Sequence, residues 1–346
     1  MLHRKPTLTN FAQTLMPVLL ATLLSSNQPA AAAFDGQAQV PDSAEQQSAG
    51  RQDKVKIFSH SPAKSPVVIA WQAQKEKAVL IAIHGFGLHK YAFKQFGEAM
   101  QKRGISTYAL DVRGFGGWTQ SREGRRLSFK ATFQDLADLI ESLKKEAPER
   151  PIFLMGESMG GAIALHFAAE HPHLVDGLIA SVPSAERYKA IQTTVRIASS
   201  FILNVGGDIN VSNLIIKRAS EDLSLQKAWR DDEQAKLKVS LSEILRLNGF
   251  MKGSHRLVKR LDVPVLLVQG EKDHLVKPAG IQKLFAELAS PDKQLLMLKD
   301  GEHLTFEEGQ CNEQVIARVD KWIENHISRN EIIASSTQLS ATSIEP

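Results

Sequence analysis

Short apolar runs alternate with amphipathic segments along most of the chain. Strands are predicted where aliphatic and β-branched residues follow one another, at residues 55–58, 67–71, 79–83, 105–110, 152–155, 178–182, 263–269 and 294–298. Helices are predicted where apolar residues recur three or four positions apart, at residues 91–103, 129–145, 162–169, 281–288 and 315–327. An unbroken apolar run is typical of a parallel strand that helices cover on both faces. The chain is therefore predicted to be an α/β protein with a mostly parallel central sheet flanked by helices.

The alternation of strands and helices stops between about residues 184 and 260. Several helical stripes occur in this stretch, and no strand run does. Because the alternation resumes afterwards, we predict a helical cap inserted into one domain of residues 52–328, in preference to a separate helical domain. Residues 329–346 are polar and aperiodic, and they are predicted to form a disordered tail.

The first 33 residues have the layout of a secretory signal peptide. Arg4 and Lys5 form a positive start, an apolar run follows, and a stretch of alanines allows cleavage near Ala33. We therefore predict an exported protein, periplasmic or secreted, in which residues 34–51 form a flexible tether. The alternative is an uncleaved segment that anchors the chain in a membrane, although the apolar run is short for a span.

Composition and charge limit the possible partners. The chain has 346 residues, of which 43% are hydrophobic and 23% charged, as is ordinary for a globular protein with a sizeable core. Cleavage would remove Arg4 and Lys5 and no acidic residue, which lowers the net charge from +4 to +2. So small a charge argues against a nucleic-acid partner. Cys311 is the only cysteine, so an intrachain disulfide is excluded.

Residues 156–160, Gly-Glu-Ser-Met-Gly, have the form G-x-S-x-G. They follow a predicted strand and precede a predicted helix, which is the context of a nucleophile elbow. In such an elbow a sharp turn projects the hydroxyl of Ser158 above the sheet, and small residues on either side let strand and helix approach closely. An ordinary strand-to-helix turn can carry the same pattern, so the weight of this one depends on the rest of the chain.

A nucleophilic serine needs a base to take its proton, and the base needs an acid to orient it. Ligands of such sheets bind beyond the carboxyl ends of the strands, so both groups should follow later strands. Asp273 follows the next-to-last predicted strand and is the predicted acid, with Glu271 as the nearer alternative. His303 follows the last predicted strand and is the predicted base, whereas His326 is predicted to lie on the surface. The chain order of serine, aspartate and histidine matches the order expected for this type of sheet.

The oxyanion that forms during acyl transfer needs two backbone N–H donors. One should come from Met159, directly after the nucleophile, and the other from the loop after the strand at residues 79–83. We assign the second donor to Phe86 and expect His84 to brace the loop. This chemistry requires neither a metal nor an organic cofactor, and none is predicted.

These motifs together resemble α/β-hydrolases of the monoacylglycerol lipase and lysophospholipase group, among the serine aminopeptidase S33-type hydrolases. The resemblance covers residues 67–327 and rests on His84-Gly85-Phe86-Gly87 with His89 and Tyr91, Asp111 with residues 113–116, the pentapeptide, the Asp273 loop and Gly301-Glu302-His303. It implies the α/β-hydrolase fold. At residues 114–117 the chain has Gly-Phe-Gly-Gly, where the group more often has Gly-His-Gly and a small polar residue. The cap also matches only loosely, and both departures concern the substrate.

The hypothesis is a serine hydrolase that cleaves carboxylic esters through an acyl-enzyme on Ser158. The resemblance implies lipid-like substrates, such as monoacylglycerol or lysophospholipid, and transient contact with a lipid surface. An aminopeptidase-like amide hydrolase stays open, in which Glu221, Asp222, Asp231 or Asp232 would hold the substrate amine. A thioesterase or acyltransferase would use the same triad, and a non-catalytic protein of this fold would normally lack one triad residue. The sequence leaves the oligomeric state open.

Overall fold

A computed structural model describes residues 67–122, 124–183, 186, 208–307 and 309–342. Its strands, in chain order, are β1 (Val68–Trp71), β2 (Ala78–Ile83), β3 (Ile105–Leu110), β4 (Ile152–Glu157), β5 (Gly177–Ser181), β6 (Ile209–Asn210), β7 (Lys238–Val239), β8 (Val265–Gly270) and β9 (Lys293–Leu298). Within the described residues, seven of them form one sheet in the order β1-β3-β2-β4-β5-β8-β9. β1 pairs antiparallel with β3 and the other neighbours are parallel, so the predicted mostly parallel sheet is confirmed.

The register aligns the carboxyl ends of the central strands. Ile83 at the end of β2 lies opposite Gly156 of β4, and Ser181 at the end of β5 lies opposite Val268 of β8. The loops that follow these strands therefore begin at one common edge of the sheet, and this is the edge at which a ligand is expected.

Helices cover both faces of the sheet. They are α1 (Lys94–Lys102), α2 (Phe129–Glu146), α3 (Met159–Glu170), α4 (Ser212–Ala219), α5 (Leu223–Asp231), α6 (Leu241–Leu257), α7 (Pro278–Glu287) and α8 (Glu313–Thr342). In β2, Val79 and Ile81 pack in the core that contains α2 and α3, whereas Leu80 and Ala82 pack in the core that contains α1 and α8. Burial on both faces is the reason why this strand has no polar position.

The described part of the cap lies between β5 and β8 and contains α4, α5 and α6. It also contains a two-stranded antiparallel ladder of β6 and β7, which the sequence analysis did not predict. Two residues per strand are too few to leave an apolar run in the sequence. Residues 184–185 and 187–207 lie outside the described residues, and so does the helical stripe that the sequence shows there. The cap boundaries therefore stay a prediction.

The structure differs from the sequence analysis near the C-terminus. The expected disordered tail is replaced over residues 329–342 by a continuation of α8. This stretch has neither glycine nor proline, and each residue added to an existing helix gains a hydrogen bond without a new nucleation cost. His326, predicted to lie on the surface, is buried, with Nδ1 2.7 Å from the carbonyl oxygen of Trp322 and Nε2 3.3 Å from the carboxylate of Asp292.

The predicted signal peptide, the tether and the predicted strand at residues 55–58 lie outside the described residues. Among the helices that the structure describes, none combines the length and the apolar character needed to cross a membrane.

Candidate active site

Ser158 lies at a sharp turn between β4 and α3, with φ of 54° and ψ of −111°. A positive φ at a residue with a side chain costs about 1–3 kcal/mol and persists only where the surroundings enforce it. A Cβ on Gly156 would lie 2.1 Å from the carbonyl oxygen of Gly160, and one on Gly160 would lie 1.9 Å from that of Ile83. The G-x-S-x-G spacing therefore has a steric reason, and it places the serine hydroxyl at the carboxyl edge of the sheet.

Ser158, His303 and Asp273 form a hydrogen-bonded chain. Ser158 Oγ lies 3.0 Å from His303 Nε2, and His303 Nδ1 lies 2.8 Å from Asp273 Oδ2. With its proton on Nδ1, the imidazole accepts a hydrogen bond from the serine and donates one to the carboxylate. The structure thus brings together the three residues predicted from the sequence, while the alternative acid, Glu271, is exposed.

Asp273 is buried but remains suited to carry a negative charge. Burial by itself would raise its pKa, but the charge of His303 and hydrogen bonds from His303, Val276 and Leu275 outweigh burial and lower the pKa. The backbone N–H groups of Leu275 and Val276 donate to Oδ1 at 2.7 and 2.9 Å. An ionised Asp273 can orient the imidazole and stabilise the imidazolium that forms when His303 takes a proton.

The two predicted oxyanion donors border the same cavity as Ser158. Met159 is the first residue of α3, where backbone N–H groups have no partner within the helix. The loop of Phe86 is braced by His84, whose Nε2 accepts from the N–H of Val112 at 3.0 Å, which leaves Nδ1 to donate to the Gly85 carbonyl at 2.7 Å. Burial lowers the pKa of His84 to about 4, so the ring stays neutral. These contacts agree with the bracing role expected of His84.

A buried ion pair holds the far end of the same loop. Lys90 Nζ lies 2.8 Å from Asp111 Oδ2, and the backbone N–H of Lys90 donates to Oδ1 at 2.7 Å. The N–H of Gly117 donates to Oδ2 as well, at 2.8 Å. Asp111 therefore ties the loop after β2 to the loop after β3.

The cavity above Ser158 is narrow, with a volume of about 90 Å³, and its walls are largely apolar. The core and the cap both contribute to it, and Arg218 brings a guanidinium group to the cap side. The apolar lining residues are Phe86, Leu88, Met159, Val211, Ile215, Trp229, Ile244, Leu247, Met251, Leu275, Val276 and Leu304. The apolar walls suit an apolar acyl group whose carbonyl lies at the serine.

The four acidic residues considered as partners for a substrate amine do not border this cavity. Each has contacts elsewhere: Glu221 with His274, Asp222 with the first turn of α5, Asp231 with Lys227, and Asp232 with His89. The arrangement therefore favours an ester with an apolar acyl group over an aminoacyl substrate.

Two buried carboxyl groups beneath the serine, those of Glu157 and Glu307, are not predicted by the sequence. Glu157 occupies a position of the pentapeptide that the motif leaves variable, so only its place next to the nucleophile could have drawn attention to it. Glu307 lies in a pair of glutamates that has the appearance of ordinary surface charge. Among the described residues, histidine, cysteine and carboxylate side chains do not gather in a group of three that could hold a metal ion.

The chain is similar to a protein-family model, to curated relatives and to solved structures. Residues 74–310 match the model of a family described as serine aminopeptidase, S33. The monoglyceride lipase of Rattus norvegicus is 27% identical over 260 residues, which are 73% of this chain and 84% of that protein. The monoacylglycerol lipase of Mycolicibacterium smegmatis is 24% identical over 261 residues, covering 72% of this chain and 89% of that protein.

Among solved structures, a soluble variant of monoglyceride lipase from Saccharomyces cerevisiae, in complex with a substrate analogue, superposes with a TM-score of 0.65. It is 20% identical and covers 75% of this chain and 91% of its own. The monoacylglycerol lipase of Paleococcus ferrophilus has a TM-score of 0.63 at 24% identity, covering 75% of this chain and 98% of its own. Likeness at these identities shows that the fold is shared.

Proposed function

This chain belongs to the serine aminopeptidase S33 family, and from that premise we propose that it is a serine hydrolase of carboxylic esters with lipid-like acyl groups. The observation that carries the proposal is the hydrogen-bonded chain of Ser158, His303 and Asp273 at the base of an apolar cavity. The lipase names of the curated relatives support the same class of substrate.

The reaction begins when Ser158 Oγ attacks the carbonyl carbon of the ester while His303 Nε2 takes the serine proton. The carbonyl oxygen becomes an oxyanion that accepts hydrogen bonds from the backbone N–H groups of Phe86 and Met159. The intermediate then expels the alcohol, which receives its proton from His303, and the acyl group remains on the serine. Asp273 stabilises the imidazolium in each of these steps.

The acyl-enzyme is released by the same groups in reverse roles. A water molecule attacks the acyl carbon, His303 takes its proton, and a second oxyanion forms at the same two N–H donors. When this intermediate breaks down, the proton passes to Ser158 and the carboxylic acid leaves.

The cavity supports an ester substrate with an apolar acyl group, and monoacylglycerol is the proposed physiological class. Lysophospholipid is the second candidate, because its acyl ester is the same and only the leaving group differs. Cleavage of aminoacyl amides is less well supported, since the acidic residues that would hold an amine do not border the cavity.

The experiment that tests this function is steady-state hydrolysis of a graded series of p-nitrophenyl esters and of monoacylglycerol. Replacement Ser158→Ala should reduce kcat at least about 10,000-fold. Replacement Asp273→Asn should reduce it about 10,000-fold, whereas the matched variant Glu271→Gln should retain activity. Undiminished turnover by Ser158→Ala would refute the assignment, and faster cleavage of an aminoacyl-arylamide than of any ester would favour the peptidase alternative.

Export and transient contact with a lipid surface remain part of the proposal. The positive start, apolar run and alanine stretch of residues 1–33 support cleavage near Ala33. Mass spectrometry of the N-terminus after expression in a host with a secretory pathway tests this, and an intact Met1 on a membrane-bound product would favour the anchored alternative.

A further inference from the structure

Two buried carboxyl groups lie beneath the nucleophile, and the hydrolytic steps above give them no role. Glu157 is the last residue of β4 and directly precedes Ser158. Glu307 lies four residues after His303, in the segment that leads away from the histidine. Both residues are at most 2% exposed. A buried carboxyl group is costly unless hydrogen bonds satisfy it, so the partners of each group indicate its purpose.

Glu157 connects the elbow to the segment that carries His303. Its Oε1 accepts from the backbone N–H of Thr305 at 2.7 Å and from the hydroxyl of Ser181 at 2.8 Å. Its Oε2 accepts from the N–H of Phe306 at 3.1 Å. Two of these three donors lie within three residues of His303, so the position of the histidine relative to Ser158 depends on this one carboxylate.

Glu307 connects the segment that carries His303 to the oxyanion loop, which is the loop after β2 that contains Gly85 and Phe86. Its Oε1 accepts from the backbone N–H of Gly85 at 2.8 Å, and Gly85 directly precedes Phe86. Its Oε2 has no hydrogen-bond partner among the described residues. The residue also borders a second cavity of about 250 Å³, which lies beyond Leu88 and Leu304 from the serine.

We propose that Glu157 and Glu307 act together as positioning residues for ester hydrolysis, Glu157 aligning the His303 segment with Ser158 and Glu307 aligning the oxyanion loop with both. The inference rests on the proposed function, because it assigns to both residues an effect on the hydrolytic rate. Neither carboxyl group touches the substrate, and each acts through the backbone N–H groups that it holds.

The two buried carboxyl groups can keep these hydrogen bonds only if the pair carries a single negative charge. Burial and the negative charge of Glu157 raise the pKa of Glu307 well above its usual value, and the N–H of Gly85 offsets them only in part. Burial also raises the pKa of Glu157, although three hydrogen bonds and the charge of His303 offset part of this rise. Glu157, with three donors, is therefore the ionised partner, and Glu307, with one, holds the proton.

Other titratable groups approach the pair from each neighbouring element. They are His303 on the histidine segment, His84 beside Gly85, Cys311 before α8, and His89 with Asp232 across the second cavity. Burial and the charge of Glu157 raise the pKa of the Cys311 thiol to about 12, so the thiol stays neutral. When rising pH removes the proton of Glu307, two adjacent buried carboxylates repel each other and displace the N–H groups that they hold. We therefore expect the kcat of wild type to decline at alkaline pH.

The test is the pH dependence of kcat and KM for p-nitrophenyl ester hydrolysis by the full chain. Replacement Glu307→Gln keeps an acceptor for Gly85 but cannot ionise, so kcat at neutral pH should stay within about threefold of wild type while the alkaline decline disappears. Replacement Glu307→Leu removes the acceptor and should lower kcat about 10- to 100-fold with KM within about threefold, less than the loss of a whole oxyanion donor. The matched control Glu324→Gln, an exposed glutamate of α8, should leave both unchanged.

A second measurement, on variants of Glu157, does not require Glu307→Leu to fold. The alkaline decline of kcat should be absent from Glu157→Gln and from the double variant Glu157→Gln/Glu307→Gln. The pH profile of the double variant should have the same shape as that of either single variant. Superimposable pH profiles for wild type and Glu307→Gln would overturn the inference. If the profiles superimpose while wild type hydrolyses esters and Ser158→Ala does not, the role of the carboxyl pair is refuted and the proposed function stands. If wild type has no Ser158-dependent esterase activity, the proposed function itself has failed.

Discussion

The ion pair of Lys90 and Asp111 allows a prediction of stability with an internal control. The Lys90 side chain is 6% exposed and that of Asp111 is 0% exposed. Replacement Lys90→Met keeps the aliphatic stem and removes the charge, which leaves the carboxylate buried with two backbone N–H donors and no cation. Loss of one partner of a buried ion pair costs about 3–5 kcal/mol, and because two donors remain, the expected loss of stability is about 3 kcal/mol. For a chain of this size, the thermal midpoint should fall by roughly 4–5 °C.

Lys77→Met is the matched control, because the same residue type is replaced in an exposed pair. Lys77 Nζ lies 3.0 Å from Glu324 Oε1, with side chains 52% and 49% exposed. Exposed pairs contribute about 0–1 kcal/mol, so the thermal midpoint of this variant should fall by at most about 2 °C.

Thermal unfolding by circular dichroism, at low and high salt, distinguishes the two variants. Added salt should abolish the small effect of Lys77→Met and leave the effect of Lys90→Met nearly unchanged, because a buried pair is poorly screened. The variant Lys90→Met/Asp111→Asn, which removes the unpaired charge and keeps an acceptor, should recover part of the loss. Equal midpoints for Lys90→Met and Lys77→Met would refute the reasoning.

Two further predictions concern the elbow and a core histidine. Gly160→Ala should lower both the thermal midpoint and the rate of labelling by a fluorophosphonate, because the new Cβ would lie 1.9 Å from the carbonyl oxygen of Ile83. Gly249→Ala, whose new Cβ would have no atom within 4 Å, should leave the thermal midpoint unchanged or raise it. Equal behaviour of the two variants would contradict the steric argument. Burial lowers the pKa of His166 to about 4, so the unfolded chain takes up a proton at this residue before the folded protein does. The contribution of the neutral ring to stability is therefore intact above pH 6.5 and is lost as the pH falls towards 4. Over that range the free energy of unfolding of wild type should fall by about 3 kcal/mol relative to that of His166→Phe, as measured by urea unfolding at several pH values. If the two proteins show the same pH dependence of stability, His166 is not its cause.

The core of the site could be predicted from the sequence because each residue of the hydrogen-bonded chain follows an apolar run. The run ahead of Asp273 and the run ahead of His303 became β8 and β9, which are parallel neighbours in the sheet. The parallel order places their carboxyl ends together, so position after a strand was enough to bring the side chains to one edge.

Burial of polar residues could not be predicted in the same way. Glu307 lies beside a second glutamate, and nothing in its sequence neighbourhood distinguishes it from a surface residue. His326 lies in the predicted amphipathic helix, four positions after Trp322 and on the same face of that helix. Glu307 is buried because the segment after His303 folds back under β4, where Glu157 binds the N–H groups of Thr305 and Phe306. The ring of His326 packs against that of Trp322 and contacts Asp292, which lies 34 positions earlier in the chain. The contacts of Glu307 depend on the tertiary structure and leave no periodic pattern in the sequence.

The cap also contributes to the alignment of the catalytic groups, and this affects how its substitutions should be interpreted. The backbone N–H of His303 donates to the carbonyl of Ala219 at the end of α4, at 3.3 Å. On the other side of the site, the N–H of Lys236 donates to the carbonyl of Gly87 in the oxyanion loop, at 2.9 Å. Two cap segments are therefore bonded to the histidine segment and to the loop that carries Phe86. Because the same cap supplies walls of the acyl cavity, a substitution that reshapes the cavity also moves the groups that perform the reaction. Changes of substrate preference made in the cap should therefore alter kcat together with KM, and not KM alone.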